Sequence, residues 1–332
     1  MAPDPRRAKR KIDWFVLALG VAIGLAWLIP SPGAEGGWLH GDFVKKGGVA
    51  LIFFLHGAAL SLEAIRAGTL RWPLHVLVQS ATFLVFPLLG LAGIALLGDR
   101  IAPDLRLGLF FLCALPSTVS SSVAMTAIAH GNVPAAVFNA TFSSVIGVFL
   151  TPLWIAWVMK TSGAPLPLGG VVLDLVIWLI LPLIAGHLLR PWLARPVHQH
   201  KKFVHLLDRG VILLLVYTSF CESFASGTWE GRGAGILLVI LGISAVLFFV
   251  VMALLNGICR VCRFPVEDRI TAIFCGSKKS MASGVPMAQI MFAGHPGLSL
   301  ILLPIIIYHA FQLVVCAWLA KRWGERDGHR GD

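Results

Sequence analysis

The apolar positions of this chain come in long unbroken blocks, not in the narrow stripes of a soluble amphipathic helix. A hydrocarbon core about 30 Å thick asks for roughly twenty consecutive apolar residues from a crossing helix. Read on that basis, the pattern predicts ten spans, at 12–30, 47–65, 73–97, 105–130, 133–160, 171–189, 204–226, 234–258, 268–292 and 297–320. Hydropathy alone would miss the ninth, because Lys278 and Lys279 fall at its middle. The connections are short, the longest polar one being a loop at 190–203, so no soluble domain is expected.

Composition agrees with this pattern. Hydrophobic residues make up 57% of the 332 and charged residues 13%, against about 25% charged in soluble domains; mean hydropathy is +0.84. The net charge of +11 sits in short loops without the interleaved aromatics of a nucleic-acid surface, so nucleic acid is not an expected partner. Membrane lipid is. With the N-terminus inside, eighteen basic residues fall on the cytoplasmic side, among them Arg6, Lys11, Arg71, Arg195, Lys201, Arg263 and Lys321. Six fall outside: Lys45, Lys46, Arg100, Arg106, Lys160 and Arg232. This asymmetry predicts a multi-pass protein of the plasma or inner membrane with both termini cytoplasmic, a basic head at 1–11 and a tail at 321–332. The first apolar run lacks a small-x-small cleavage site and reads as a retained helix. The six cysteines lie in or beside apolar segments, which suggests reduced packing residues and not disulfides. The lone Cys259–Cys262 spacing has no second pair to complete a zinc site.

The second half resembles the first at a nearly constant offset. Asp13 matches Asp174, Gly48-Val49 matches Gly210-Val211, Ser80-Ala81 matches Ser244-Ala245, and Arg106 with Phe111 matches Arg269 with Phe274. Ala156-Trp157 with Lys160 matches Ala317-Trp318 with Lys321. Five spans per repeat is an odd number, so the units 12–160 and 161–320 must lie inverted in the membrane. The expected fold is an all-α polytopic membrane protein of two inverted five-helix repeats, the design of many secondary transporters.

Spans 4 and 9 are repeat mates, and both are broken. Span 4 runs Leu115-Pro116-Ser117-Thr118-Val119-Ser120-Ser121-Ser122, where proline removes a backbone donor and the hydroxyls offer competing bonds. Span 9 runs Gly276-Ser277-Lys278-Lys279-Ser280, followed by Gly284 and Pro286. Unwound backbone at membrane depth is tolerated only inside protein or along a cavity. Each lysine costs about 2.5–3.5 kcal/mol at the bilayer centre on insertion scales. Intramembrane charges of this kind mark solute or ion paths, whereas serine and glycine by themselves can serve close helix packing.

These features carry a resemblance. Phe53-Phe54-Leu55-His56-Gly57-Ala58-Ala59-Leu60-Ser61-Leu62, the serine-rich break with Ala124-Met125-Thr126 and His130-Gly131-Asn132, and segment 276–280 resemble the bile acid:sodium symporter family over about residues 12–321. The chain looks closest to the branch that includes eukaryotic regulators of cellular calcium. The resemblance implies discontinuous fourth and ninth helices that cross near the centre, and an alternating-access carrier. Sodium-coupled members place glutamate and glutamine where this chain has Phe274 and Lys278, and a serine-asparagine pair where it has Ser122-Val123. By that alignment both sodium sites lose oxygen ligands, and an ammonium would repel the ion.

Lys278 or Lys279 is therefore the candidate tethered replacement for a coupling cation, binding an anion or cycling a proton. Glu222, the carboxylate well inside a span, is its candidate partner; the alternative is a lysine that only neutralises helix ends. Ser277, Ser280, Ser120, Ser121, Ser122 and Thr126 are candidate lining residues; Gln79, Asn139, Thr141 and Ser143 are weaker ones, with bridging between helices as the alternative. His309 and Gln312, three apart, share a face and are candidates to touch the break, with a packed histidine bonded to a backbone carbonyl as the alternative. The function expected is secondary-active transport of a small organic anion, with no cofactor and with sodium or proton as coupling ion. The alternative is a membrane regulator of calcium homeostasis that does not itself transport. No GxxxxGK[ST] loop supports ATP drive and no HExxH or carboxylate cluster supports an enzyme.

Overall fold

A computed structural model of the chain describes residues 14–34, 36–39, 41–59, 71–161, 168–230 and 235–325. The basic head, most of the tail, and Asp13, Arg66 and Arg232 lie outside the described residues. Among those described, all regular structure is helical.

Besides a single 3-10 turn at Gly98–Arg100, thirteen helices follow in order among the described residues. They are α1 (Trp14–Leu28), α2 (Gly41–Ala59), α3 (Trp72–Leu97), α4 (Pro103–Ala114), α5 (Ser120–Ile128) and α6 (Val133–Thr161). Then come α7 (168–188), α8 (Arg190–Gln199), α9 (Lys201–Ala225), α10 (Gly235–Val261), α11 (Val266–Gly276), α12 (Met281–Met291) and α13 (Leu298–Gly324). Five of them, α3, α6, α9, α10 and α13, are long and apolar enough to cross a bilayer by length and composition. The predicted fourth and ninth spans are each two short helices, α4 with α5 and α11 with α12, interrupted where proline, serine and glycine concentrate. Local chemistry starts these pieces: Pro103 and Asp104 open α4, and Glu267 and Asp268 open α11, where carboxylates oppose the positive helix end. Ser280 caps α12 by accepting from Ser283 N–H.

One expectation is corrected. The segment read as a loop at 190–203 is helix α8 followed directly by the start of α9. Pro191 sits in the first turn of α8, where its fixed φ suits a helix and its missing N–H is not needed.

The helices sort into two groups. In the first, α1 packs on α9, α7 on α2, and α2 on α9. The α2–α7 crossing is close because glycines face carbonyls on both sides: Gly57 meets Leu183 O and Gly186 meets Phe54 O, leaving no room for a Cβ. In the second, α13 packs on α4 and α10, α10 on α11, α3 on α4, and α5 on α6 and α11. Helix α12 lies between the groups, touching α2 and α9 on one side and α13 on the other. Helices α3 and α7 each carry a π-type turn, at Ala81–Val85 and Val176–Ile180. The first becomes part of the site.

Candidate functional site

The two interruptions hold each other. A helix end buried away from water must find partners for its last carbonyls. At the end of α11, Phe274 O accepts from Ser122 Oγ at 3.0 Å, Cys275 O from Ser117 Oγ at 2.5 Å, and Ser277 O from Tyr308 Oη at 2.7 Å. At the end of α4, Ala114 O accepts from Thr151 Oγ1 at 2.8 Å and Pro116 O from the Ser280 N–H at 2.8 Å. Serines of one break thus close the other, more than 150 residues away in the chain. Ser143 Oγ accepts from the Ser117 N–H at 2.9 Å and adds α6 to the network.

Lys279 completes it. Its Nζ donates to Cys113 O and Leu115 O, both at 2.7 Å, and to Thr82 O at 2.9 Å. An ammonium has three N–H bonds, and three carbonyls receive them. Two of those carbonyls belong to the negative end of α4, where a positive charge is favoured. The third belongs to the π turn of α3, whose next carbonyl, Phe83 O, accepts from Trp154 Nε1 at 3.0 Å. The Phe86 ring lies 4.1 Å from the same Nζ and supplies its negative face. Lys278 donates to Ser121 O at 2.9 Å and lies 5.5 Å from the Phe274 ring. Both lysines are 0% exposed.

Beside this network a cavity of about 940 Å³ joins a second of about 340 Å³, together large enough for a small organic molecule. His56, Val119, Ser120, Ser144, His205, Asp208 and Ser283 line both, so the two are lobes of one space. The smaller lobe is lined by Ser120 and Ser121, from the first turn of α5, and by Ser280, Met281 and Ser283 at the start of α12. Two helix N-termini, the positive ends that favour anions, therefore meet at one lobe. Arg209 and His309 line it as well, while Phe53, Val145, Val148 and Leu183 give the larger lobe apolar walls. Lys201 and Lys202 sit at the start of α9 in the larger lobe.

At the other end of α9 the two groups are joined. Ser223 Oγ and Thr228 Oγ1 donate to Pro296 O at 3.2 and 3.3 Å, and Trp229 Nε1 donates to Ser299 Oγ at 3.0 Å. Trp229 also stacks on Phe220 with ring centres 5.7 Å apart. Between these contacts and the cavity, Gln289 Nε2 of α12 donates to Leu215 O of α9 at 3.0 Å.

The structure divides the candidates named from sequence. Ser120, Ser121, Ser280 and His309 line the smaller lobe. Ser122, Ser277, Lys278, Lys279 and Gln312 belong to the network behind it: Ser277 Oγ donates to Ile273 O at 2.7 Å, and Gln312 bonds the Lys279 backbone. Neither ammonium reaches the cavity. Gln79 Nε2 donates to Asn139 O and Oδ1 at 3.1 and 3.3 Å, so this pair bridges α3 and α6 instead of lining the space. Thr126 is buried on α5, away from both lobes. The suggested partnership of a central lysine with Glu222 is corrected: Glu222 forms its ion pair with Lys45 of α2, while carbonyls hold the central ammoniums. His205, Asp208, Arg209 and Ser283 were not anticipated. The available signal was Asp208-Arg209, two charges inside a predicted span.

A family model described as the SBF-like CPA transporter family matches residues 13–325. A Pseudomonas aeruginosa protein, PA2026, is 42% identical over 314 residues, covering 95% of this chain and 93% of its own. "Putative symporter YfeH" of Escherichia coli is 41% identical over 320 residues, again 95% and 93%. "Sodium/bile acid cotransporter 7" of Rattus norvegicus is 32% identical over 317 residues, 94% and 93%.

Proposed function

Because the chain belongs to the SBF-like CPA transporter family, we propose that it is a secondary transporter of a small organic anion, working by alternating access. The observation that carries this reading is the meeting of the α5 and α12 N-termini at one lobe of the cavity between the helix groups. Half-helix N-termini that face an anionic solute, with half-helix C-termini and unwound carbonyls turned to a cation, are the usual division of labour in broken-helix carriers.

Here the cation side is filled by the protein itself. The Lys279 ammonium takes the carbonyls of Cys113, Leu115 and Thr82 that a mobile ion would otherwise require. A tethered charge cannot be lost to either compartment, and in this reading sodium is not the coupling ion. The fold in this reading is two inverted five-helix repeats, 12–160 and 161–320. Its support is reciprocal pairing: α1 packs on α9 and α7 on α2, as exchange of the two halves requires. With both termini cytoplasmic in the plasma or inner membrane, the lobe beside Lys201 and Lys202 opens inward, and the Trp229 contacts close the outer side. Transport then exchanges these two seals as one group moves against the other.

Purified full-length protein in proteoliposomes tests this. The relatives named as bile acid cotransporters make cholate the first probe, after a thermal-shift screen of organic anions with and without sodium. The expected result is counterflow of labelled cholate that sodium does not stimulate. Stabilisation without counterflow would favour a regulator over a carrier. A saturable sodium requirement would defeat the tethered-cation account.

A further inference from the structure

The network around the two lysines leaves the cavity without an explained counter-charge. One carboxylate lines both lobes, Asp208 of α9, in a space otherwise suited to anions. Its Oδ1 is buried and has no hydrogen-bond donor among the described residues. A buried acceptor in that condition costs free energy until a proton or a donor reaches it. The nearest candidate is His56 of α2, whose Nε2 lies 3.6 Å from that oxygen, just beyond hydrogen-bond length. The imidazole is 33% exposed and the carboxylate 15%, so the ring is open to the cavity and shields the acid. The Phe53 ring, edge-on at 6.0 Å, steadies the imidazole.

We infer that the His56–Asp208 pair is the proton-binding site that couples this carrier. The inference rests on the carrier reading above and adds to it the identity of the coupling ion and its place. One proton taken up between the imidazole and the carboxylate changes the charge of the pair by one. With the ring neutral the pair carries one negative charge, which repels an anion in the lobe it faces. With one proton added at Nε2 the pair is net neutral, the N–H closes on Oδ1, and the repulsion is gone. Anion and proton then favour each other's binding, and linkage makes the effect reciprocal. Coupling between sites is typically 5- to 150-fold.

The surroundings bear on the same charge. From α9 itself come His205 and Arg209, the latter held over the Trp14 and Phe15 rings at 5.3 and 5.0 Å. His200, Lys201 and Lys202 stand at the mouth, and α13 contributes His309. Helix α7 brings His187 beside Gly57, while α5, α6 and α12 present hydroxyls from Ser120, Ser144 and Ser283. Asp208 is the acid of this set, so its neutralisation is the change that an anion would register. Position supports the assignment too. The pair lies on the first helix group and the two N-termini lie on α5 and α12, so a solute in the cavity touches both.

The test uses full-length protein in proteoliposomes with pyranine inside and labelled cholate as the probe. An inside-alkaline gradient should raise wild-type accumulation at least ten-fold over equal pH, with pyranine reporting acidification as the anion enters. In His56→Gln and in Asp208→Asn, the ratio of gradient-driven accumulation to equal-pH exchange should fall at least ten-fold, and Asp208→Glu should restore it. Wild-type exchange that ignores the pH gradient would overturn the inference and leave the carrier intact, as would either variant retaining full gradient drive. Absence of cholate exchange by the wild type would instead overturn the carrier reading for this class of anion, and this inference with it. Because the wild-type arm needs no substitution, a variant that does not fold leaves the test decisive.

Discussion

Gln312 closes both backbone groups of Lys279. Its Oε1 accepts from the Lys279 N–H at 2.9 Å and its Nε2 donates to Lys279 O at 2.8 Å, the pairing that a neighbouring strand would give. The Lys279 side chain meanwhile secures the end of α4. One residue of the interruption is thus held at its backbone by α13 and at its tip by α3 and α4.

Gln312→Ala removes a donor and an acceptor from a buried site. Each orphaned backbone group costs about 1–3 kcal/mol, so the melting temperature of the purified protein should drop clearly. Gln312→Glu keeps the acceptor and loses the donor, and should fall between. Differential scanning fluorimetry in detergent would decide, and a wild-type melt for Gln312→Ala would remove the bracing role.

The two lysines should not be equivalent. Lys279→Met strips a donor from three carbonyls and Lys278→Met from one, so Lys279→Met should destabilise more. Lys279→Ala leaves a carbonyl-lined vacancy that an ammonium ion can enter. Its melting temperature should rise with ammonium chloride and not with choline chloride, by mass action on the folded form. No difference between the salts would count against a cation site.

Among the six cysteines Cys262 is exposed and the other five are buried. A membrane-impermeant maleimide should modify one site per chain, and Cys262→Ser should abolish it. In that background Gln199→Cys should label from the side that reaches Cys262 in the wild type, and Trp38→Cys from the opposite side. Labelling of positions 38 and 199 from the same face would break the proposed topology.

The contacts of Trp229 should govern access from the outer side. Trp229→Ala loses the bond to Ser299 Oγ and the stack on Phe220. A cysteine at Ser219, which is fully buried, should then react several-fold faster from outside than in the parent with Trp229 intact. Equal rates would show that these contacts are not the seal.

Much of the architecture was legible because it depends on local composition. The apolar blocks marked the five helices long enough to cross a bilayer, and Pro116 with its serines and Gly276 with its lysines marked both interruptions, as the helix ends at Ala114 and Gly276 bear out. Segment 190–203 was misread because polarity was taken for irregularity, when proline in a first turn and a polar helix satisfy the same pattern. The site was legible only in part. Ser120, Ser121, Ser280 and His309 were named and line the cavity, but Lys278 and Lys279, the most conspicuous residues, stand behind it.

By itself the sequence determined which stretches are apolar enough to enter a membrane and where their helices must stop, since hydropathy and backbone chemistry act over a few neighbouring residues. Tertiary structure alone decided that Lys279 finds Cys113, Leu115 and Thr82, that Glu222 belongs to Lys45, and that His56 faces Asp208. Those pairings join residues about 150 or more positions apart. A charge buried in low dielectric takes whichever partner the packing brings within reach, and that geometry has no signature along the chain.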